Sequence, residues 1–160
     1  MLKTNVLRIL DKENIKYNSR EYDDEITDAV EVAKAVNKNP EEVFKTLVTE
    51  ANNHEHYVFV IPSMMTLDLK KAAKAAGVKS ISLIHQKELL PLTGYIHGGC
   101  SPIGMKKVFP TTFQHEAENF DTIIFSAGKI GYQVEMPLSS LSKIIRYQTA
   151  DIVIEENVNE

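Results

Sequence analysis

The sequence contains a single cysteine, Cys100, and no long apolar run. One cysteine excludes an intramolecular disulfide and a zinc site built from several cysteines, and it fits a reducing compartment. No apolar run approaches the roughly 18 residues that span a bilayer. Charges at Lys3, Arg8 and Asp11 interrupt the first residues, unlike the start of a secretory signal. We therefore expect a soluble cytoplasmic protein without a membrane partner.

The sequence also lacks internal repeats, low-complexity tracts and linker-like segments. Its length of 160 residues predicts one domain that covers positions 1–160, with 155–160 as a frayed tail. A composition of 43% hydrophobic and 25% charged residues is ordinary for a folded soluble protein and excludes a disordered chain.

The net charge of -4 argues against a protein that coats nucleic acid through bulk charge. The charge is unevenly distributed, however. Residues 61–115 carry seven lysines against Asp68 and Glu88, a net charge of +5, between segments of -4 and -5. Such a basic segment is either a solvated face or the sign of an anionic partner.

Helical and strand patterns follow one another without regular βαβ units. Asp28 is a predicted N-cap, and Gly77 is a predicted C-cap that ends a helix over 69–76. Strands are predicted over 15–22, 43–49, 57–61, 80–83, 122–125, 132–136 and 150–154, and a last helix over 137–147. The second and third strands form a predicted hairpin. This mixture favours the α+β class with a mixed sheet.

The least ordinary stretch of the sequence is Gly98-Gly99-Cys100-Ser101-Pro102-Ile103-Gly104. Its glycines, proline and serine predict a loop, and glycine lets backbone amides approach a ligand closely. Lys106 and Lys107 follow at once, so that amides and ammonium groups would face a polyanion together. The pattern lacks the Gly-Lys-Ser/Thr ending of a Walker A loop. A plain structural turn explains the same residues.

Lys45 interrupts the apolar stretch Val43-Phe44-Lys45-Thr46-Leu47-Val48. A lysine inside a strand either protects an exposed sheet edge or carries its charge into a pocket. In a pocket, the ammonium group would orient or polarise a carbonyl substrate.

Two other groups each have a reactive and an ordinary interpretation. Cys100 is either a nucleophile or a small buried thiol, and no histidine or aspartate is tied to it by a motif. His54 and His56 are either two metal ligands or solvated residues of a polar turn. The ordinary interpretation is favoured for both groups, and no metal site and no cofactor are predicted.

Five segments taken together resemble one known family. They are Phe44-Lys45-Thr46-Leu47, Leu67-Asp68-Leu69-Lys70-Lys71, Thr93-Gly94-Tyr95, the stretch 98–104 and Ser126-Ala127-Gly128-Lys129. The series resembles the YbaK/EbsC family, free-standing relatives of the editing (insertion) domain of bacterial prolyl-tRNA synthetase, and the resemblance extends from Thr4 to Ile154. It implies a single domain with a strongly curved, partly barrel-like mixed sheet flanked by helices.

The resemblance also implies a site. Lys45 matches the family's key lysine and is the predicted catalytic residue, with the amides of Gly98 and Gly99 steadying the substrate carbonyl. The predicted substrate-binding residues are Tyr22, Thr46, Gly98, Gly99, Ser101, Pro102 and Gly104. The lysines predicted to contact tRNA are Lys70, Lys71, Lys74, Lys106, Lys107 and Lys129. Some family members have an aspartate where this chain has Gln133, so a carboxylate is missing at that position.

The activity implied by the resemblance is trans-editing, the deacylation of mischarged tRNA, typically cysteinyl-tRNA(Pro). Cysteine-specific members are thought to let the substrate's own thiol attack its ester, which releases a cyclic thiolactone without a nucleophile–base pair on the protein. The implied partners are the acceptor end of an aminoacylated tRNA and prolyl-tRNA synthetase. Two other hypotheses remain: an alanyl-tRNA(Pro) deacylase of the same superfamily, and a non-catalytic module that binds tRNA or a synthetase.

Overall fold

Helices and strands mix along the chain in the computed structural model, which describes residues 3–26 and 28–155. The elements are α1 (Asn5–Lys12), β1 (Asn18–Glu21), α2 (Ala29–Ala35), β2 (Phe44–Ala51), β3 (His56–Pro62), α3 (Leu69–Ala76), β4 (Ile81–Leu83), α4 (Gln86–Thr93), β5 (Thr111–Gln114), β6 (Ile123–Ser126), β7 (Tyr132–Met136) and β8 (Tyr147–Ala150), with 3-10 helices at His115–Asn119 and Leu138–Lys143. None of the helices in these ranges is long and apolar enough to cross a membrane. The predicted α+β class is confirmed.

The strands form two sheets. One is a three-stranded antiparallel sheet with the order β1-β7-β6, and the other is a five-stranded mixed sheet with the order β4-β2-β3-β5-β8. In the larger sheet, β5 runs parallel to both of its neighbours. An isolated bridge between Val43 and Ile124 joins the sheets, and no β2–β6 ladder extends from it in the described residues. Neither sheet closes or curls strongly, so the expectation of a partly barrel-like sheet is wrong.

β3 is buried on both faces, which explains its continuous apolar run. Val58 and Val60 point into the main core, which lies among the two sheets and α1. Phe59 and Ile61 point to the opposite face, where a second cluster includes the alanines of α3. The alternation of strand side chains thus gives the larger sheet two packed faces.

α3 begins and ends as the sequence predicts. The Asp68 side chain accepts hydrogen bonds from the backbone amides of Lys70 and Lys71 at 2.9 and 3.1 Å, which caps the helix. Gly77 ends the helix with φ of 74°, in the left-handed region that favours glycine. Ala72 and Ala73 are buried against the sheet.

The C-terminal third differs most from the prediction. The helix expected over 137–147 is only the 3-10 helix Leu138–Lys143, and its serines bond locally, as Ser142 Oγ does to the Ser139 carbonyl at 2.8 Å. The strand expected over 150–154 is replaced by β8, which ends at Ala150. β5 was not predicted because it has one large apolar residue, Phe113. Of the expected tail, residues 156–160 lie outside the described residues.

Glu135 of β7 contacts three other segments of the chain at the smaller sheet. It accepts a hydrogen bond from Thr122 Oγ1 at 2.7 Å, forms an ion pair with Arg20 of β1, and lies 3.7 Å from Lys38 Nζ. Burial alone would raise the pKa of Glu135. The hydrogen bonds from Thr122 and Arg20, with the charge of Lys38, outweigh burial and lower that pKa.

We expect Glu135→Gln to lower the free energy of unfolding by about 1–2 kcal/mol at pH 7, because it removes the charge that Arg20 and Lys38 face. The lowered pKa means that this stabilisation is complete above the ordinary value of 4.5 and is lost as the pH falls through the folded-state pKa. Urea unfolding at pH 7 and pH 3 measures both effects. If the difference in free energy of unfolding between variant and native protein were as large at pH 3 as at pH 7, the charge argument would be contradicted.

Candidate functional site

A cleft of about 270 Å³ lies where the two sheets separate. β2 of the larger sheet contributes Lys45 and Thr46 to its lining. The smaller sheet contributes Ser126 of β6 and Gln133 of β7, and Tyr22 follows β1 directly. The cleft therefore depends on the relative position of both sheets.

The first half of β2 has an unpaired edge, which explains why Lys45 can enter the cleft. β4 pairs only with Thr49, Glu50 and Ala51. Backbone pairing of β6 with the start of β2 is limited, among the described residues, to the bridge at Val43 and the hydrogen bond from the Ile124 amide to the Glu42 carbonyl at 2.9 Å. Lys45 itself pairs with β3 on the other side. The edge and the pocket interpretations of Lys45 thus describe one arrangement, because the exposed edge forms a wall of the cleft.

Lys45 is half-buried, and burial lowers the pKa of its ammonium group. The carboxylate of Asp28, which also lines the cleft, acts in the opposite direction. A partly desolvated cation interacts more strongly with a nearby anion or carbonyl dipole than the same group in water. The cleft therefore holds a positive charge that is available to a polar ligand.

Two buried polar atoms of the cleft lining have no hydrogen-bond partner among the described residues: Thr46 Oγ1 and Gln133 Oε1. The Gln133 side chain belongs to a residue that is only 5% exposed. Leaving such a group unpaired costs about 1–3 kcal/mol, and buried polar groups in proteins are nearly always paired. A ligand with hydrogen-bond donors would satisfy both atoms. The cleft therefore offers two unpaired acceptors to a polar ligand.

The glycine-rich loop reaches the cleft only at its start. Gly98, with φ of 88°, and Cys100 line the cleft. The amide of Gly98 has no hydrogen-bond partner among the described residues, whereas the amide of Gly99 donates to the Ile96 carbonyl at 3.0 Å. Of the two glycine amides, that of Gly98 is thus available to a substrate carbonyl, whereas that of Gly99 is already engaged.

The rest of the loop supports this arrangement. A side chain at Gly99 would lie 3.2 Å from the backbone nitrogen of Ile130, so glycine permits the loop to pack against the chain after β6. Ser101 Oγ accepts a hydrogen bond from the Ile103 amide at 3.3 Å, and Pro102 is buried. Gly104 has φ of 79° and lies directly against the Tyr95 hydroxyl.

The structure therefore divides the predicted site residues into two groups. Those that line the cleft with Lys45 are Tyr22, Thr46 and Gly98. Those outside the lining are Gly99, Ser101, Pro102 and Gly104. The residues of the second group stabilise the conformation of the loop, which explains their place in the motif.

None of the six lysines predicted to contact tRNA lines the cleft. Lys71 Nζ is already engaged, since it donates to Asp151 and to the Val153 carbonyl, each at 2.9 Å. Lys129 Nζ lies 5.6 Å from the centre of the Tyr132 ring. The remaining four, Lys70, Lys74, Lys106 and Lys107, are exposed.

The groups with two interpretations behave as ordinary residues. Cys100 is 8% exposed, and burial raises the pKa of its thiol to about 12, so that it is no thiolate at neutral pH. His54 and His56 each lie 3.4 Å from Glu50. Within residues 3–26 and 28–155, no group of three His, Cys, Asp or Glu side chains is arranged to hold a metal ion.

Several polar residues of the lining were not predicted from the sequence, among them Asp28, His97 and Ser126. Asp28 was recognised only as an N-cap, and His97 and Ser126 were not assigned to the site. Gln133 was noted only as a departure from the family pattern. Spacing along the chain does not reveal that these residues share a cleft, because they reach it from different parts of the fold.

Comparison with known proteins identifies the family. A family model described as an aminoacyl-tRNA editing domain matches residues 23–144. The chain belongs to the aminoacyl-tRNA editing family. Over 156 residues it is 42% identical to EbsC of Enterococcus faecalis, provisionally named a Cys-tRNA(Pro)/Cys-tRNA(Cys) deacylase, which covers 96% of this chain and 95% of EbsC. The resemblance inferred from the motifs is confirmed.

Two solved structures have the same fold as this chain. A protein provisionally named a trans-editing enzyme for prolyl-tRNA synthetase superimposes with a TM-score of 0.82 at 22% identity, covering 97% of this chain and 100% of that one. The hypothetical protein APE2540 superimposes with a TM-score of 0.83 at 19% identity, covering 94% of this chain and 100% of that one. At these identities the likeness shows the fold alone.

The unpaired hydroxyl of the cleft leads to a stability test. We expect Thr46→Val to raise the free energy of unfolding by about 1 kcal/mol, because it removes a buried hydroxyl that has no partner. Thr49→Val is the matched control on the same strand. Thr49 Oγ1 is buried and donates to the Tyr57 carbonyl at 2.8 Å, so this variant should lose about 1 kcal/mol. Urea denaturation measures both, and equal destabilisation of the two variants would contradict the assignment of Thr46.

Proposed function

We propose that this protein is a cytoplasmic aminoacyl-tRNA deacylase that removes cysteine mischarged onto tRNA(Pro). The observation that carries the proposal is the cleft between the sheets, where the half-buried Lys45 meets the unpaired polar atoms of Thr46 and Gln133 and the amide of Gly98. Membership of the editing family and the 42% identity to EbsC support the same substrate class.

Lys45 and Gly98 suit the cleavage of an ester that is already activated. Such a substrate needs orientation and stabilisation of the negative charge that develops on its carbonyl oxygen. The Lys45 ammonium group and the Gly98 amide would act on this oxygen. Thr46 and Gln133 would accept hydrogen bonds from donors of the aminoacyl group or the terminal ribose.

The thiol of the substrate replaces a nucleophile on the protein. Cys100 is a protonated, buried thiol, which makes it a poor nucleophile. In the proposed reaction the substrate sulfur bonds to the ester carbon, the bond from that carbon to the ribose oxygen breaks, and the thiol proton ends on the departing ribose hydroxyl. The products are a cyclic thiolactone and free tRNA.

This route also explains how a small cleft can be selective. Size alone discriminates poorly against a smaller amino acid, since one methylene is worth only about 1–3 kcal/mol. Alanine and serine lack the thiol and cannot follow the route at all. Cysteine is therefore favoured over alanine as the amino acid removed, and the alanyl-tRNA(Pro) hypothesis becomes the alternative outcome of the test.

The tRNA body would be held outside the cleft. The proposed contacts are Lys70, Lys74, Lys106, Lys107 and Lys129, whereas the ion pair of Lys71 makes it a weaker candidate. One small domain offers little surface for choosing among tRNAs. We therefore propose that prolyl-tRNA synthetase presents the mischarged tRNA to this protein.

Lys45→Ala tests the catalytic assignment. We expect it to abolish the release of cysteine from charged tRNA(Pro), a loss of at least about 100-fold, because one preorganised charge at the carbonyl is worth this much. The fold should survive, since Lys45 forms no ion pair among the described residues. Lys143→Ala, which removes an exposed lysine outside the cleft, is the matched control and should retain full turnover. Unchanged turnover by Lys45→Ala would refute the role of Lys45.

A panel of charged tRNAs tests the substrate. Cysteinyl-, alanyl- and seryl-tRNA(Pro) are incubated with the protein, with and without prolyl-tRNA synthetase, and the remaining ester is measured. We expect rapid loss of cysteine, little loss of alanine or serine, and faster turnover with the synthetase. Equal cleavage of seryl-tRNA(Pro) would exclude thiol attack. Salt-sensitive tRNA binding without any deacylation would instead favour the non-catalytic module.

A further inference from the structure

The proposed substrate brings a second positive charge into the cleft. An aminoacyl ester carries its α-ammonium group on the carbon next to the ester carbonyl, and such a group is largely protonated below pH 7. If Lys45 acts on that carbonyl, two cations meet in a partly desolvated space and repel each other. A substrate of this class therefore requires an acceptor or a negative charge beside the cation. This step rests on the proposed function.

Asp28 is the only carboxylate among the described residues that line the cleft. The buried oxygen acceptors of the lining, Thr46 Oγ1 and Gln133 Oε1, are neutral and offer no charge, whereas Asp28 is exposed. The Asp28 charge already acts at Lys45, where it opposes the effect of burial on the pKa of the ammonium group. Because Asp28 and Lys45 line the same cleft, the negative charge faces the space that a ligand of Lys45 would occupy.

The side chain of Asp28 has one oxygen committed and one available. Oδ2 accepts a hydrogen bond from the Glu31 amide at 3.2 Å, which caps α2 and holds the carboxylate at the wall of the cleft. Oδ1 has no hydrogen-bond partner in the parts of the chain that the structure describes. The cap therefore orients a carboxylate whose second oxygen can accept from an ammonium group.

We infer that Asp28 is the residue that binds the α-ammonium group of the aminoacyl substrate. Asp28 would neutralise the second cation on one side of the ester while Lys45 acts on the carbonyl oxygen on the other. A substrate whose amine is acylated, as in a peptidyl ester, would lose this contact. The subsite thus makes the protein selective for free aminoacyl esters over N-acylated ones.

Asp28→Asn tests this inference because it removes the charge and keeps an oxygen that can cap α2. Deacylation of cysteinyl-tRNA(Pro) and of its N-acetylated form is measured at pH 6.5, each relative to uncatalysed hydrolysis. The native protein should prefer the free amine. For Asp28→Asn, kcat/KM should fall about 5- to 10-fold with the free amine, the size of one charge-assisted contact at an exposed group, and should be unchanged with the acetylated substrate.

Glu31→Gln is the matched control, since it makes the same charge change in the same helix at an exposed residue outside the cleft lining. Glu31→Gln should leave kcat/KM unchanged for both substrates. An equal loss on both substrates with Asp28→Asn, or no loss on either, would overturn the assignment while leaving the deacylase proposal intact. An equal effect of Glu31→Gln would overturn it in favour of a general field effect.

A binding measurement separates this inference from the proposed function. The probe is 3'-deoxy-3'-(cysteinylamino)adenosine, in which an amide replaces the ester, and its N-acetyl derivative. If the native protein deacylates nothing, the proposed function fails. A 5- to 10-fold weaker binding of the free-amine probe by Asp28→Asn, with unchanged binding of the acetyl derivative, would still support the ammonium subsite, and equal binding of the free-amine probe by both proteins would overturn it.

Discussion

The separation of the two sheets at β2 is the constraint on which the rest of the structure depends. Backbone pairing at Val43 brings the sheets together, and β4 pairs with β2 only from Thr49 onward. Between these points β2 has a free edge, and the smaller sheet stands opposite it. A fully closed sheet would have satisfied this edge and left no space. The open edge instead forms one wall of the cleft, where Lys45 and Thr46 share the lining with Gln133 of β7 and Gly98 of the glycine-rich loop.

The cleft stores unfavourable energy that a substrate can release. A half-buried ammonium group and two unpaired polar atoms all weaken the free protein, and all three lie in one place. Elsewhere, buried polar groups such as Glu135 and Thr49 are paired, with Thr122 and with the Tyr57 carbonyl. Arg20 Nε is a third buried atom without a partner among the described residues, and it does not line the cleft. Two of the three buried side-chain atoms that lack a partner among the described residues thus lie where a ligand would bind.

Much of the local structure was predictable from the sequence, and the assembly of the site was not. The caps of α3, the hairpin and β7 follow from patterns in consecutive residues. β5 was missed because Thr111-Thr112-Phe113-Gln114 forms a strand only through its neighbours on both sides. Motif residues such as Gly99 and Gly104 proved to support the loop, whereas Gln133 and Asp28 entered the cleft through tertiary packing that no spacing reveals. The net charge of -4 was equally uninformative, because the only Lys, Arg, Asp or Glu side chains that line the cleft among the described residues are Lys45 and Asp28.

The most direct test of the account is a crystal structure with 3'-deoxy-3'-(cysteinylamino)adenosine bound. The proposed site requires that the aminoacyl carbonyl oxygen lies within about 3 Å of Lys45 Nζ and the Gly98 amide, and that Thr46 Oγ1 and Gln133 Oε1 each gain a partner at hydrogen-bond distance. Binding of the analogue away from the separation of the sheets, for example along the exposed lysines of α3 with both oxygens still unpaired, would contradict it.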